Sequence, residues 1–162
     1  MSFEADGIVF QFIRGYTTSG GHSVIASATT VVKYILNFNA DVVIGNFAVL
    51  HWQQNSEPVH KWEAQLRSAC VGWTPTKPTL AFYLGPTQIQ LGRTQGLQPA
   101  RTRLFARAAQ RILGQCGFQY IEVHNLTASR RESSFDGQHW ACYHTYGGVS
   151  HTILQVFLNR LC

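Results

Sequence analysis

The sequence predicts a single α/β domain spanning residues 1–162, with a mainly parallel sheet sandwiched in three layers between helices. Three observations lead there. Short, continuously apolar runs rich in β-branched and aromatic residues occur at 7–13, 41–47, 79–84 and 118–123. The segments between them place apolar residues every three to four positions, as one buried stripe of a helix requires. Gly, Pro, Ser and Thr cluster where the two patterns meet. Strands alternating with helices imply parallel strands joined by right-handed crossovers, with ligands at the carboxyl ends of the strands.

The first run, Gly7 to Ile13, reads as a buried strand that ends in the turn-prone Thr17-Thr18-Ser19-Gly20-Gly21. From Ser23 to Leu36, Val24, Ala28, Val31 and Ile35, with Ile25, Val32 and Leu36 beside them, form the stripe of a first helix. Asp41 to Phe47 is too short and too uniformly apolar for a half-exposed strand, so the pattern places it mid-sheet, covered on both faces. Ser56, with Pro58 in the first turn, opens a second helix whose inner face is Val59, Trp62, Leu66, Ala69 and Cys70; Pro75 and Pro78 end it.

Thr79 to Leu84 forms a third strand, stopped by Gly85-Pro86, and the polar, glycine-bearing stretch from Gln88 to Pro99 is long enough for a lid or substrate loop. In the helix from Arg101 to Gln115 the rows Leu104, Ala108, Ile112 and Phe105, Ala109, Leu113 face inward, and Gly117 is placed to cap it. Phe118 to Val123 is the fourth strand. Ser150 to Leu161 closes the chain as a helix with Ile153, Leu154, Phe157 and Leu161 inward.

With 45% apolar and only 13% charged residues, the chain lies far from the composition of disordered polypeptides. A chain of 162 residues buries enough surface for a real core. The net charge of +5 stems from ten arginines and three lysines against eight acidic residues, and seven of the arginines fall between Arg93 and Arg131. Arg103, Arg107 and Arg111 share one helix face without interleaved aromatic residues, the pattern of a solvated outer face, so no nucleic-acid partner is expected. No apolar run reaches the ~20 residues of a membrane span. Met1 to Asp6 lacks the basic and then apolar pattern of a signal peptide.

Cys70, Cys116, Cys142 and Cys162 have no C-x-x-C spacing, so no metal site is expected. Cys142 and Cys162 flank the last helix, where a bridge in an oxidising compartment and two buried thiols are both open readings. Asn125-Leu126-Thr127 matches a glycosylation acceptor, which matters only in the secretory pathway.

The chemistry concentrates in Ser133-Ser134-Phe135-Asp136-Gly137-Gln138-His139-Trp140. An aspartate three residues before a histidine can hold one imidazole nitrogen, fixing the tautomer so that the other nitrogen accepts a proton. This is half of a nucleophilic device, whose other half is a nucleophile.

The Asp136-Gly137-Gln138-His139 segment, set before a final helix ending Leu158-Asn159-Arg160-Leu161-Cys162, resembles the C-terminal signature of SGNH (GDSL-type) hydrolases. The likeness is to their branch of PC-esterases and sialate or polysaccharide O-acetyltransferases. Asp41-Val42-Val43-Ile44-Gly45-Asn46 followed by His51-Trp52 is similar to that branch's central strand, Leu104 to Ala109 to its third helix, and Val9-Phe10-Gln11-Phe12 to its second strand.

The resemblance implies a flavodoxin-like sheet of order 2-1-3-4-5 and transfer of O-acyl, above all acetyl, groups of a carbohydrate-like ester through an acyl-serine, with no cofactor. His139 would be general base and then general acid, with Asp136 stabilising its imidazolium. Asn46 would donate to the oxyanion, and His51, Trp52 and Trp140 would line the substrate cleft. A secretory, Golgi or extracellular setting would suit such substrates, and a cytoplasmic one is equally open.

The chain departs from the pattern in one respect that decides its activity. The family's first strand leads into Gly-Asp-Ser, whose serine attacks, and no such triplet occurs here. The expectation is therefore an N-terminally truncated domain lacking its first strand, inactive unless another segment supplies the serine. The glycine that the resemblance implies in the family's second conserved segment has Gly15, Gly20 and Gly21 as candidates. Ser19 and Ser23 read as part of a strand-to-helix turn, the geometry that exposes a nucleophile, but Arg14-Gly15-Tyr16-Thr17 does not resemble the required turn. The competing expectation is a non-catalytic α/β module that keeps the cleft and binds the ligand without hydrolysing it.

Overall fold

A computed structural model describes residues 2–5, 8–11, 16–19, 22–25, 28–46, 58–87 and 98–129, together with 152, 155, 156, 158 and 159. Its elements in chain order are β1 (Ser2–Ala5), β2 (Ile8–Gln11), β3 (Tyr16–Ser19), β4 (His22–Ile25), α1 (Ala28–Phe38), β5 (Val42–Gly45), α2 (Val59–Gly72), β6 (Leu80–Leu84), α3 (Pro99–Gln115), β7 (Gln119–Ile121) and α4 (His124–Ala128). The chain is mixed α/β, built around an open, all-parallel sheet of order β5-β6-β7.

Two expectations fail in the first 27 residues. The run from Gly7 to Ile13 forms a strand, β2, but it pairs antiparallel with β1, Phe3 facing Phe10, rather than joining the parallel sheet. The first helix starts at Ala28 rather than Ser23. Val24 and Ile25, read as part of its stripe, belong to β4, which pairs antiparallel with β3. The pairing runs from Tyr16↔Ile25 to Ser19↔His22. The β-branched content of 22–25 thus outweighs an apolar spacing that fits a helix equally well.

From Ala28 to β7 the elements follow the expected order, and the short helix α4 then stands where a loop was expected. The last turn of α1 ends at Asn39 in the left-handed region (φ 49°), with its N–H donating to Leu36 O, a conformation asparagine tolerates better than most residues. Pro58 is the N-cap residue of α2, and Pro99 occupies the first turn of α3, where a missing N–H costs nothing. The C-terminus of α3 closes as expected at Gly117 (φ 90°). Phe118 N–H donates to Leu113 O (3.0 Å) and Gly117 N–H to Gly114 O (3.2 Å), the paired bonds of a Schellman cap.

Alternate residues of the parallel strands supply two packed faces. On one, Val43, Ala81 and Tyr83 meet Val32 of α1, Trp62 and Leu66 of α2, and Phe105, Ala109 and Leu113 of α3. Trp62 and Phe105 stack with centroids 6.3 Å apart, tying α2 to α3. On the other, Phe82, Ile121 and Val123 form a smaller cluster joined by Leu84 and Val156.

Two further residues differ from expectation. In α3, Leu104 is 54% exposed and the inward position near its start belongs to buried Thr102, whose hydroxyl donates to Gln98 O (3.1 Å). The strand β5 is not covered on both faces: Val42 is 39% and Ile44 48% exposed, and among the described residues β6 is its only neighbour. Continuous apolarity marks a strand whose apolar residues face both sides of a sheet, whether or not both sides are covered within the described residues.

Candidate functional site

In a parallel sheet the strands run side by side, so their carboxyl ends converge on one edge. Here that edge comprises Gly45-Asn46 after β5, Leu84-Gly85 after β6, and Ile121-Glu122 after β7. The register sets Gly45 beside Tyr83 and Tyr83 beside Tyr120, so Asn46 lies about two strand spacings, roughly 10 Å, from the end of β7. Asn46 is exposed, as a residue that meets a ligand must be.

The other side chains at this edge form a polar cluster around two tyrosines. Tyr83 and Tyr120 stack with centroids 5.6 Å apart. The Tyr120 hydroxyl donates to Glu122 Oε2 (3.2 Å), and Glu122 Oε1 accepts the backbone N–H of Asn125 (3.2 Å) at the start of α4. Gly85, whose N–H donates to Ile121 O (3.0 Å), lies under the Tyr120 ring; a Cβ there would come within 2.6 Å of the phenol oxygen. Glycine at this position is therefore a packing requirement.

Burial pushes both phenols above their ordinary range, Tyr120 being raised further by the Glu122 carboxylate. Both phenols therefore stay protonated, and that of Tyr120 serves as a hydrogen-bond donor to Glu122. His124 is driven the other way: burial, and then the Arg103 guanidinium, favour its neutral imidazole, against a smaller opposing pull from Glu122. At neutral pH it can accept a proton or a hydrogen bond.

Arg101 and Arg103 bring the first turns of α3 to this edge. Arg101 lies over the Phe105 ring at 5.2 Å from its centroid, and Arg103 acts on His124. Tyr83, Tyr120, Glu122 and His124 were not among the sequence candidates. Their signal was modest: aromatic and ionisable residues in the last positions of strands that end at the ligand-binding edge of an α/β sheet.

Of the expected site residues, Asn46 lies at this edge. Asp136, His139, Trp140, His51 and Trp52 fall outside the described residues, as do Gly15, Gly20, Gly21, Cys142 and Cys162. After β7 the chain runs through α4, and the described residues reach Ser129. Ser19 and Ser23 belong to paired strands β3 and β4.

Among the described residues no cluster of three metal-ligating side chains occurs. A small cavity of about 10 Å³ between α1 and the amino ends of β5 and β6, lined by Leu36, Val43, Trp73 and Thr79 among others, has room for no more than about one water molecule. No described helix is long and apolar enough to cross a membrane. The chain matches no family model, no curated protein and no solved structure.

Proposed function

We propose that the chain is the Asp-His portion of an SGNH-type serine esterase or O-acyltransferase, acting on O-acyl groups of a carbohydrate-like ester with a serine supplied by a segment outside these residues. The observation that carries the reading is the exposed Asn46 at the carboxyl end of β5, the strand that resembles the family's central one. Asn46 would donate its side-chain amide to the oxyanion of the tetrahedral intermediate. His139 would take the serine proton and return it to the leaving alkoxide, with Asp136 holding the ring and stabilising its charged form. His51, Trp52 and Trp140 would border the acyl or sugar pocket.

The two packed faces of the sheet support a three-layer, flavodoxin-like arrangement, with α1, α2 and α3 on one side and the helical residues around Val156 on the other. Val42, Ile44 and Leu80 share the second face and are 39%, 48% and 45% exposed. A further strand along β5, with its helix above, would cover β5's side of that face and bring a Gly-Asp-Ser turn to the edge beside Asn46.

An esterase assay tests the proposal. The 162 residues alone should give no p-nitrophenol burst with p-nitrophenyl acetate, whereas the same chain with a Gly-Asp-Ser strand segment placed ahead of β1 should give one. His139→Ala should lower that turnover by about 10³-fold or more. Robust turnover by the 162 residues alone, or turnover insensitive to His139→Ala, contradicts the reading.

A further inference from the structure

Asn125, Leu126 and Thr127 form the single Asn-x-Ser/Thr triplet, with x other than proline, in the sequence. All three lie on α4. Asn125 is exposed, while Thr127 is fully buried and donates its hydroxyl to the carbonyls of Val123 and His124, both at 2.9 Å. The acceptor amide therefore faces solvent, and the hydroxyl that a glycosyl transferase must read is turned inward.

A separate feature of the fold points to the compartment in which such triplets are used. Cys70 on α2 and Cys116 at the end of α3 are joined by a disulfide, with their Cα atoms 5.5 Å apart. A structural disulfide persists in oxidising compartments and is rare where thiols are kept reduced. The bridge ties α2 to the C-cap of α3 at the margin of the main core, against which both cysteines pack.

We infer that Asn125 carries an N-linked oligosaccharide, added before α4 folds, in the same oxidising lumen where Cys70 and Cys116 are joined. In the transfer, Asn125 Nδ2 forms a bond to the anomeric carbon of a lipid-linked oligosaccharide diphosphate. The anomeric C–O bond breaks, the lipid diphosphate leaves with the electron pair, and one amide proton passes to a base on the transferase. In the oxidation, the two thiols give up two protons and two electrons by exchange with a disulfide-bearing protein oxidant of that compartment. Thr127 sets the order of events, because its hydroxyl is within reach of an enzyme only while 124–128 is unfolded. Once the helix forms, the glycan projects from the carboxyl edge of the sheet next to His124, and Thr127 serves the fold.

One peptide reports both modifications. Trypsin releases residues 112–130, which hold Cys116 and Asn125, and residues 68–93, which hold Cys70 and stay intact because Lys77 precedes Pro78. The protein from its natural source, digested without reduction after free thiols are blocked, should yield these two peptides linked, with a glycan on Asn125 that peptide N-glycosidase removes. Secreted Asn125→Gln should co-migrate with the enzymatically deglycosylated wild type. Recovery of 112–130 with unmodified Asn125 overturns the inference, bridged or not. A blocked, unbridged Cys116 overturns the compartment argument on which it rests.

Discussion

His124 shows how a single side chain at the sheet edge is tuned by its surroundings. Burial and Arg103 hold its pKa below the ordinary 6.5, so the folded protein prefers the neutral ring. As pH falls through 6.5 the unfolded chain takes up this proton before the folded chain does, and stability drops. The loss levels off once the folded imidazole is protonated as well. Replacement of His124 by Gln should flatten this part of the curve, measured as the denaturation midpoint against pH; an unchanged slope would mean that another group carries it. Tyr120 and Gly85 beside it depend on each other: the absent Cβ of one makes room for the ring of the other, and the ring's hydroxyl is spent on Glu122. None of this was legible in sequence, because it depends on which residues the strand register brings side by side.

At the scale of elements, the helices α2 and α3 carry the core, and the Cys70–Cys116 bridge fastens them across a sequence separation of 46. The chain-entropy relation for a loop of that length gives on the order of 4 kcal/mol of stabilisation. Reduction, or Cys70→Ala with Cys116→Ala, should lower unfolding free energy by about 2–4 kcal/mol in denaturant titrations, and an unchanged midpoint would contradict the bridge. The ion pair between Arg111 and Glu63 joins the same helices at 2.7 Å, but both side chains reach solvent, so it adds about 0.2–1 kcal/mol at most.

The bodies of these helices and the Gly117 cap were readable from apolar periodicity and the terminal glycine, whereas their starts were not: α2 begins at Val59 after Pro58 rather than at Ser56, and α3 takes in Pro99, read as the end of a loop. The two N-terminal hairpins were not. Val24 and Ile25 fit the helical stripe as well as a strand, and only pairing with β3 decides between them. The bridge also escaped prediction, since Cys70 and Cys116 become neighbours only when α2 packs on α3.

Considered whole, the molecule is a basic α/β chain, with Arg103, Arg107 and Arg111 all exposed on α3. The parallel character of the sheet followed from the strand-helix alternation after Ala28. The antiparallel pairs ahead of it carry no such alternation. In the proposed reaction Asn46, at the end of β5, and His139, after α4 in sequence, serve one ester group. Both must reach within about 3 Å of one ester group if they act together.

Dipolar broadening between spin labels at Asn46→Cys and His139→Cys measures their separation, with Cys142→Ser and Cys162→Ser and the Cys70–Cys116 bridge retained. A shared cleft predicts a distance on the order of 10–15 Å. A separation of roughly 30 Å, the span to the far end of a domain this size, would contradict it.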